Sequence, residues 1–156
     1  MNKRFKLLLL IITFIAVGIA IYVEVTREHS DELPVKLEQP EFFLSEQPSI
    51  SLIMEACEYY QLEAKGIVIS QAILETGHFR SENCIRNNNL FGLYNSKKKH
   101  YYRFNHWTES IVFYRDKIQN RRKSNEAYYD FLNRIGYAED KEYISKVKNI
   151  KKRYKL

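Results

Sequence analysis

The stretch Ile67–Gly77, "IVISQAILETG", decides the fold. Its apolar residues are Ile67, Val68, Ile69, Ala72, Ile73 and Leu74. On a helix these residues leave almost no polar face, and such a helix lies in the middle of a fold. Gly77 is well placed to end this helix in the left-handed conformation that glycine tolerates best. The single acid, Glu75, therefore stands in the last turn of a helix that is otherwise buried.

Helical periodicity also precedes this stretch. In "SISLIMEACEYYQL", the residues Ile50, Ile53, Met54 and Cys57 follow the i, i+3, i+4, i+7 spacing of one buried helix face. Ser49 can cap the start of that helix.

Downstream, the segment "LFGLYNSKKKHYYRFN" predicts two short strands around a polar turn at Asn95–Lys98. Three more helices are predicted at about 108–122, 125–135 and 141–152, with Thr108, Ser124 and Asp140 as their caps. The sequence thus predicts a mainly α domain, with helices bundled around a buried central helix and one small β-hairpin.

The N-terminus predicts a transmembrane helix ahead of this domain. Lys3, Arg4 and Lys6 precede an apolar run over residues 7–23, which is about as long as a bilayer-spanning helix and longer than a signal-peptide core. The position of the basic residues places the rest of the chain outside the cytoplasm, in the periplasm or cell wall. Small residues near its end, Gly18 and Ala20, leave cleavage as a secretion signal open.

These features divide the chain into three parts. Residues 1–25 are interpreted as a signal anchor, and residues 48–156 as the folded domain. Residues 26–47 are interpreted as a stalk, because they are polar, contain Pro34 and Pro40 and show no sustained period.

The net charge of +6 indicates an anionic partner such as a cell wall or a membrane surface, or serves solubility alone. An exported domain meets little nucleic acid, so none is expected as a partner. Cys57 and Cys84 permit one disulfide in an oxidising compartment or two buried thiols. No oligomeric state is predicted.

Glu75 is the first candidate for chemistry. The negative end of the helix dipole and partial desolvation both oppose its ionisation. A carboxyl group that stays protonated near neutral pH is what a general acid in glycoside cleavage needs. The alternative is a helix-terminal glutamate that faces water.

Two motifs lie at and after Glu75 in the order "QAILETG" and "NNLFGL". They match both halves of a known family pattern, and they resemble the motifs of the bacterial N-acetylglucosaminidases of glycoside hydrolase family 73. "RFNHWTESIVFYRDKI" and "RIGYAEDKEYISKVKNI" look like its later segments, so the resemblance covers about residues 49–150. It implies a lysozyme-like α+β fold and an endo-acting enzyme that cleaves the β-1,4 bond after N-acetylglucosamine in peptidoglycan. No cofactor is expected. No metal site is expected either, because His78, His100 and His106 include no i, i+4 pair on one helix and the cysteines form no Cys-x-x-Cys motif.

The resemblance also implies roles for single residues. Glu75 would be the catalytic general acid, and Tyr137 would lie across the cleft beside the cleaved bond. The implied cleft wall that meets the sugar rings consists of Asn88, Asn89, Leu90, Phe91 and Gly92. Asparagine amides can hold N-acetyl and hydroxyl groups, aromatic faces can pack on pyranose rings, and Gly92 lets backbone approach a ligand. Ordinary core packing is the alternative for Phe91 and Tyr137.

Several positions depart from the family pattern. His78-Phe79 replaces the usual Trp-Gly, "AED" replaces Ala-Thr-Asp, and Lys141 stands in place of proline. Many members also carry a second carboxylate on the hairpin, whereas residues 93–107 contain no acid. Glu109 follows directly, where serving the helix N-terminus is expected of it.

A glycosidase normally uses two carboxylates, so three accounts of the missing one are open. The 2-acetamido group of the substrate could act as nucleophile. A distant acid such as Glu82 or Glu109 could reach the site. Or the protein has weak or no turnover and acts as a peptidoglycan-binding or assembly protein. A further alternative is a membrane-surface adaptor that uses the basic segment "YISKVKNIKKRYKL".

Overall fold

A computed structural model describes residue 45 and residues 47–156. The predicted signal anchor and nearly all of the predicted stalk lie outside these residues. Within the described part of the chain, none of the helices has both the length and the apolar character needed to span a membrane.

The described chain forms helices and one two-stranded sheet. In chain order these are α1 (Ile50–Tyr59), α2 (Lys65–Thr76), α3 (Glu82–Asn87), β1 (Tyr94–Asn95), β2 (His100–Tyr101), α4 (Trp107–Lys117), a 3-10 turn (Gln119–Arg121), α5 (Tyr128–Arg134) and α6 (Tyr143–Tyr154). The predicted fold class, mainly helical with one small hairpin, is confirmed for these residues.

Helix α2 is the centre of the domain. Eight of its twelve residues are buried, and it packs against α1 on one side and α6 on another. It ends at Gly77, which adopts φ +54° and donates its backbone N–H to the carbonyls of Ile73 and Leu74. The predicted buried helix and its glycine cap are therefore both confirmed.

Helix α1 begins where its cap predicts. The Ser49 hydroxyl accepts a hydrogen bond from the backbone N–H of Leu52 at 3.3 Å, and Ile53, Ala56 and Cys57 are buried. The expected amphipathic face therefore packs into the core.

The predicted hairpin is confirmed, with its turn at residues 96–99, one residue later than predicted, because Asn95 pairs with His100. Its antiparallel strands pair Tyr94 with Tyr101 and Asn95 with His100. The two tyrosine rings meet edge to face, with their centroids 5.1 Å apart, and both side chains are about half exposed. The hairpin thus presents an aromatic pair to solvent.

The later helices begin elsewhere than predicted. Helix α4 starts one residue early, because the His106 ring accepts a hydrogen bond from the Thr108 backbone N–H in place of a Thr108 cap. Helix α5 starts after Asn125, which lies in the left-handed region at φ 63° and cannot be part of a regular helix.

Helix α6 begins at Tyr143, after the predicted residue 141. The Asp140 carboxylate accepts a hydrogen bond from the backbone N–H of Glu142 at 2.9 Å, which turns the chain before the helix starts. Helix α3 was not predicted, because its six residues are too few to show a helical period.

Both cysteines are buried free thiols, so the disulfide alternative does not hold in this structure. Burial raises the pKa of Cys57 to about 12 and that of Cys84 to about 11. Both side chains act as small apolar core groups.

Candidate active site

A cleft of about 780 Å³ lies where α2 ends, between the hairpin side and the α4–α5 side of the domain. It is lined by Glu75, Phe91, Gly92, Leu93, Tyr94, Tyr101, Tyr102, Phe113, Lys117, Ile118, Arg121, Ile135, Gly136, Tyr137, Ala138 and Glu139. This mixture of aromatic walls and a few charged groups is typical of a small-molecule or glycan site.

Glu75 lines this cleft and is half-buried in the last turn of α2. Burial raises the pKa of its carboxyl group above the ordinary value, and a hydrogen bond with the Tyr143 hydroxyl partly opposes that rise. A carboxyl group in this environment keeps its proton to higher pH than an exposed one. The direction of this shift is the one expected from the sequence for a general acid, a role that stays a prediction.

Gly92 allows the opposite wall to approach Glu75 closely. A Cβ atom at Gly92 would lie 2.9 Å from Oε2 of Glu75, and the residue has φ +60°. Both the close contact and the left-handed backbone therefore require glycine here.

A chain of buried hydrogen bonds leads to Glu75 from the core. The hydroxyls of Tyr128 and Tyr114 lie 3.2 Å apart, and Tyr114 donates to Gln71 Oε1 at 2.8 Å. Gln71 Nε2 in turn donates to the Tyr143 hydroxyl at 3.2 Å. Because Tyr143 accepts from Gln71, its own proton is available to the carboxylate of Glu75.

The three tyrosines in this chain of hydrogen bonds stay protonated. Burial raises the pKa of Tyr128 to about 12 and holds those of Tyr114 and Tyr143 well above the ordinary tyrosine value. These tyrosines therefore act as neutral hydrogen-bond donors. Gln71 was absent from the sequence-based candidates, although a glutamine on an otherwise apolar helix is a signal that could have pointed to it.

Of the other predicted site residues, Phe91, Gly92 and Tyr137 line the cleft with Glu75. The Tyr137 hydroxyl donates to the backbone carbonyl of Phe91 at 3.3 Å. Its ring lies 5.5 Å from that of Tyr143, and burial holds the Tyr137 pKa well above its ordinary value. Tyr137 thus joins the two walls of the cleft.

The other three lie outside the cleft lining. Asn88 donates to the carbonyls of Phe104 and Asn105, both at 3.1 Å. Leu90 is fully buried. Their contact with sugar stays a prediction, since the contacts seen here hold the loop between α3 and β1.

Asn89 is also fully buried and organises that loop. Its amide donates to the carbonyls of Leu93 and Tyr102 at 2.9 and 3.0 Å. Its Oδ1 accepts from the backbone N–H groups of Leu93 and Phe91. Asn89 therefore places Phe91 and Gly92 in the cleft wall without lining the cleft itself.

Neither distant acid considered from the sequence lines the cleft. Glu109 accepts from the backbone N–H of Asn105 at 3.1 Å, as expected for a residue at a helix N-terminus. Glu82 forms an ion pair with Arg86 on α3. A different acid, Glu139, does line the cleft. The sequence signal for it was the departure "AED", whose position in space the sequence alone did not give.

In the part of the chain that the structure describes, no group of histidine, cysteine and acidic residues is arranged to hold a metal ion. The cations at the cleft are Lys117 and Arg121. Their position favours ligands that carry negative charge.

The glucosaminidase family model, described as mannosyl-glycoprotein endo-beta-N-acetylglucosaminidase, matches residues 50–156. Among solved structures, the chain is similar to the catalytic domain of the autolysin Auto from Listeria monocytogenes. The two share 23% sequence identity with a TM-score of 0.49 over 83% of this chain and 94% of that one. No curated protein matches significantly. The family model covers all the described helices and includes Glu75 and every cleft residue. This match confirms the resemblance of the motifs to glycoside hydrolase family 73. The chain therefore belongs to the glucosaminidase family and is a glycoside hydrolase.

Proposed function

We propose that the protein hydrolyses the β-1,4 bond after N-acetylglucosamine in the glycan strands of peptidoglycan, with Glu75 as general acid. The observation that carries this proposal is the half-buried carboxyl group of Glu75 in the lining of an aromatic cleft, with its pKa raised by burial. Peptidoglycan as substrate is supported by the family 73 motifs and by the cleft cations Lys117 and Arg121, which suit the carboxylates of its peptides.

In this mechanism Glu75 donates its proton to the glycosidic oxygen as the bond to the anomeric carbon breaks. The electron pair of that bond stays with the leaving oxygen, which departs as a neutral hydroxyl group. The Glu75 carboxylate formed in this step accepts the hydrogen bond of Tyr143. The buried donors behind Tyr143 are in place before the reaction, so this stabilisation needs little reorganisation.

The cleft walls would hold the sugar rings on either side of Glu75. Tyr94 and Tyr101 expose their rings at the cleft and can pack against the apolar faces of pyranoses. Tyr137 would lie beside the cleaved bond. Phe91, on the opposite wall, would hold Tyr137 in place by accepting its hydroxyl hydrogen bond.

We also propose that residues 1–25 hold the protein in the membrane, with the enzyme domain on the outer side. The apolar run and the basic residues before it support this placement. Secretion after cleavage of the same segment is the alternative.

One observation favours a second candidate, a peptidoglycan-binding protein without turnover. The hairpin, where many family members carry a second carboxylate, has no acid between residues 93 and 107. Without another group for that role, the cleft would bind glycan and not cleave it, unless the 2-acetamido group of the substrate takes part.

The test uses the full-length chain in detergent with purified peptidoglycan. Soluble products are reduced and identified by mass spectrometry, for the wild type, Glu75→Gln and the matched control Glu82→Gln. We expect fragments ending in reduced N-acetylglucosamine from the wild type and the control. We expect a loss of about 100-fold or more in the Glu75 variant, which is the usual contribution of a general acid.

Two results would contradict the proposal. If Glu75→Gln releases products at the wild-type rate, Glu75 is not the acid. If neither the wild type nor any variant releases products while all of them sediment with the wall, the protein binds peptidoglycan without cleaving it.

A further inference from the structure

The general acid alone does not complete a hydrolysis. Water must attack the anomeric carbon and lose a proton, and in most glycosidases a second carboxylate accepts that proton or acts as nucleophile. Glu82 and Glu109 are engaged elsewhere. Among the described residues, the acids that line the cleft are Glu75 and Glu139.

The segment that carries Glu139 is held against the opposite wall of the cleft. Gly136, at φ +61°, turns the chain after α5. Tyr137 then donates its hydroxyl proton to the carbonyl of Phe91, on the wall next to Gly92. This hydrogen bond fixes Tyr137, two residues before Glu139, to the residue that precedes Gly92, and Gly92 lies against Glu75.

Glu139 differs from the acid that follows it. Asp140 accepts hydrogen bonds from Lys146 at 2.6 Å and from the backbone of Glu142 at 2.9 Å. Glu139 is exposed on the cleft and makes no ion pair or hydrogen bond with any residue that the structure describes. Its carboxylate is therefore available to a ligand or to water, whereas that of Asp140 holds the start of α6.

We propose that Glu139 is the second catalytic carboxylate, acting as general base on the attacking water. This inference rests on the proposed glycan cleavage. A water oxygen forms a bond to the anomeric carbon while one of its protons passes to Glu139. The bond to the leaving oxygen breaks, and that oxygen takes the proton of Glu75. The products are a free reducing end and a free hydroxyl group, and solvent exchange returns the proton from Glu139 to Glu75.

This assignment explains why the hairpin carries no acid. The second carboxylate comes from the segment after α5, at the position where the family pattern has threonine. The chain thus relocates one of the two acids to another wall of the same cleft.

The test compares Glu139→Gln and Glu139→Ala with the matched control Glu142→Gln in the full-length chain, on purified peptidoglycan. Glu142 is exposed three residues further along and does not line the cleft. We expect both Glu139 variants to lose turnover by about 100-fold or more, with unchanged sedimentation with the wall and unchanged melting temperature. The control should keep wild-type turnover.

Sodium azide provides a readout that a structural role would not affect. Azide attacks the anomeric carbon without needing a base, so it should restore turnover to Glu139→Ala and leave a glycosyl azide, which mass spectrometry identifies. It should not restore Glu75→Gln, because azide cannot protonate the leaving oxygen.

The outcomes separate this inference from the proposed function. If Glu139→Gln keeps wild-type turnover while Glu75→Gln loses it, the inference fails and the proposed function stands. If Glu139→Ala is inactive and azide does not restore it, Glu139 is not the base. If the wild type itself releases no product, both are overturned.

Discussion

At the scale of single residues, Glu75 occupies a position that disfavours its own charged form. Burial raises its folded-state pKa above the unfolded value. The stability contributed by such a group is fully present below the unfolded pKa, and it is lost as pH rises through the folded pKa. Above the unfolded pKa, ionisation of Glu75 is therefore more costly in the folded protein than in the unfolded chain, and this difference lowers the free energy of unfolding.

We expect Glu75→Gln to raise the melting temperature at about pH 7 and to have little effect near pH 3, where the carboxyl group is neutral in both states. The glutamine carbonyl can still accept the Tyr143 hydrogen bond, so the variant mainly removes the charge. Melting followed by circular dichroism across this pH range measures the difference. A stability gain that is the same at both pH values would contradict the raised pKa.

Gly92 gives a second prediction at this scale. In Gly92→Ala, the new methyl group would meet Oε2 of Glu75 at 2.9 Å, on a backbone with positive φ. We expect a loss of about 1–2 kcal/mol in the free energy of unfolding from the backbone. Turnover should fall as well, because the carboxyl group must move.

Gly77→Ala is the matched control for Gly92→Ala, since Gly77 has φ +54° and open space around its Cβ position. It should lose similar stability in denaturant titrations but less turnover. Equal losses of turnover in the two variants would show that the contact with Glu75 is unimportant.

At the scale of elements, one buried polar chain connects four helices. Gln71 lies on α2, Tyr114 on α4, Tyr128 at the start of α5 and Tyr143 at the start of α6. Because buried polar groups need partners, these hydrogen bonds fix how the four helices meet. The same chain ends on the carboxyl group of Glu75, so helix packing and the orientation of the acid are connected.

Removing the Tyr143 hydroxyl should change the pH dependence of the reaction. Its hydrogen bond lowers the pKa of Glu75, so in Tyr143→Phe that pKa should rise. We expect the basic limb of the kcat/KM profile to move to higher pH, together with a loss of about 1–3 kcal/mol in stability, because Gln71 loses a buried partner.

Tyr128 lies at the far end of this chain of hydrogen bonds. Tyr128→Phe should lose stability and leave the basic limb of the kcat/KM profile at the wild-type pH. If the pH profile of Tyr143→Phe overlays that of the wild type, the hydrogen bond from Tyr143 does not influence the pH dependence of the reaction.

At the scale of the whole molecule, we expect charge to affect binding to peptidoglycan. The chain carries a net charge of +6, and Lys117 and Arg121 lie in the cleft itself. Attraction between exposed charges weakens as salt shortens the screening length to about 8 Å at physiological ionic strength. Binding to an anionic polymer should therefore depend on salt.

We expect the rate of release from intact peptidoglycan to fall as sodium chloride rises from about 10 mM to 500 mM, over which screening becomes strong. Cleavage of uncharged N-acetylglucosamine oligomers should change little over the same range. Turnover assays on both substrates measure this. If salt slows cleavage of the neutral oligomers equally, its effect is on the protein and not on the attraction to a charged substrate.

The sequence by itself determined the features that depend on neighbouring residues. The apolar run of α2, the glycine that ends it, the Ser49 cap and the hairpin turn are local signals, because each follows from a period or from backbone preference. The motifs around Glu75 likewise indicated the family and the candidate acid. Helix α3 was missed because its six residues are too few to show a period. The starts of α5 and α6 were misplaced, since the left-handed Asn125 and the hydrogen bond to the Asp140 side chain interrupt the pattern there.

Only the tertiary structure decided which distant groups meet. Gln71 joins Tyr114 and Tyr143 across 43 and 72 positions of the chain, and no local pattern encodes such pairings. The same holds for Asn89, which turns inward to the backbone, and for Glu139, which comes to the cleft of Glu75. The physical reason is that periodicity reports which face of an element is buried, whereas a catalytic site depends on which elements pack together.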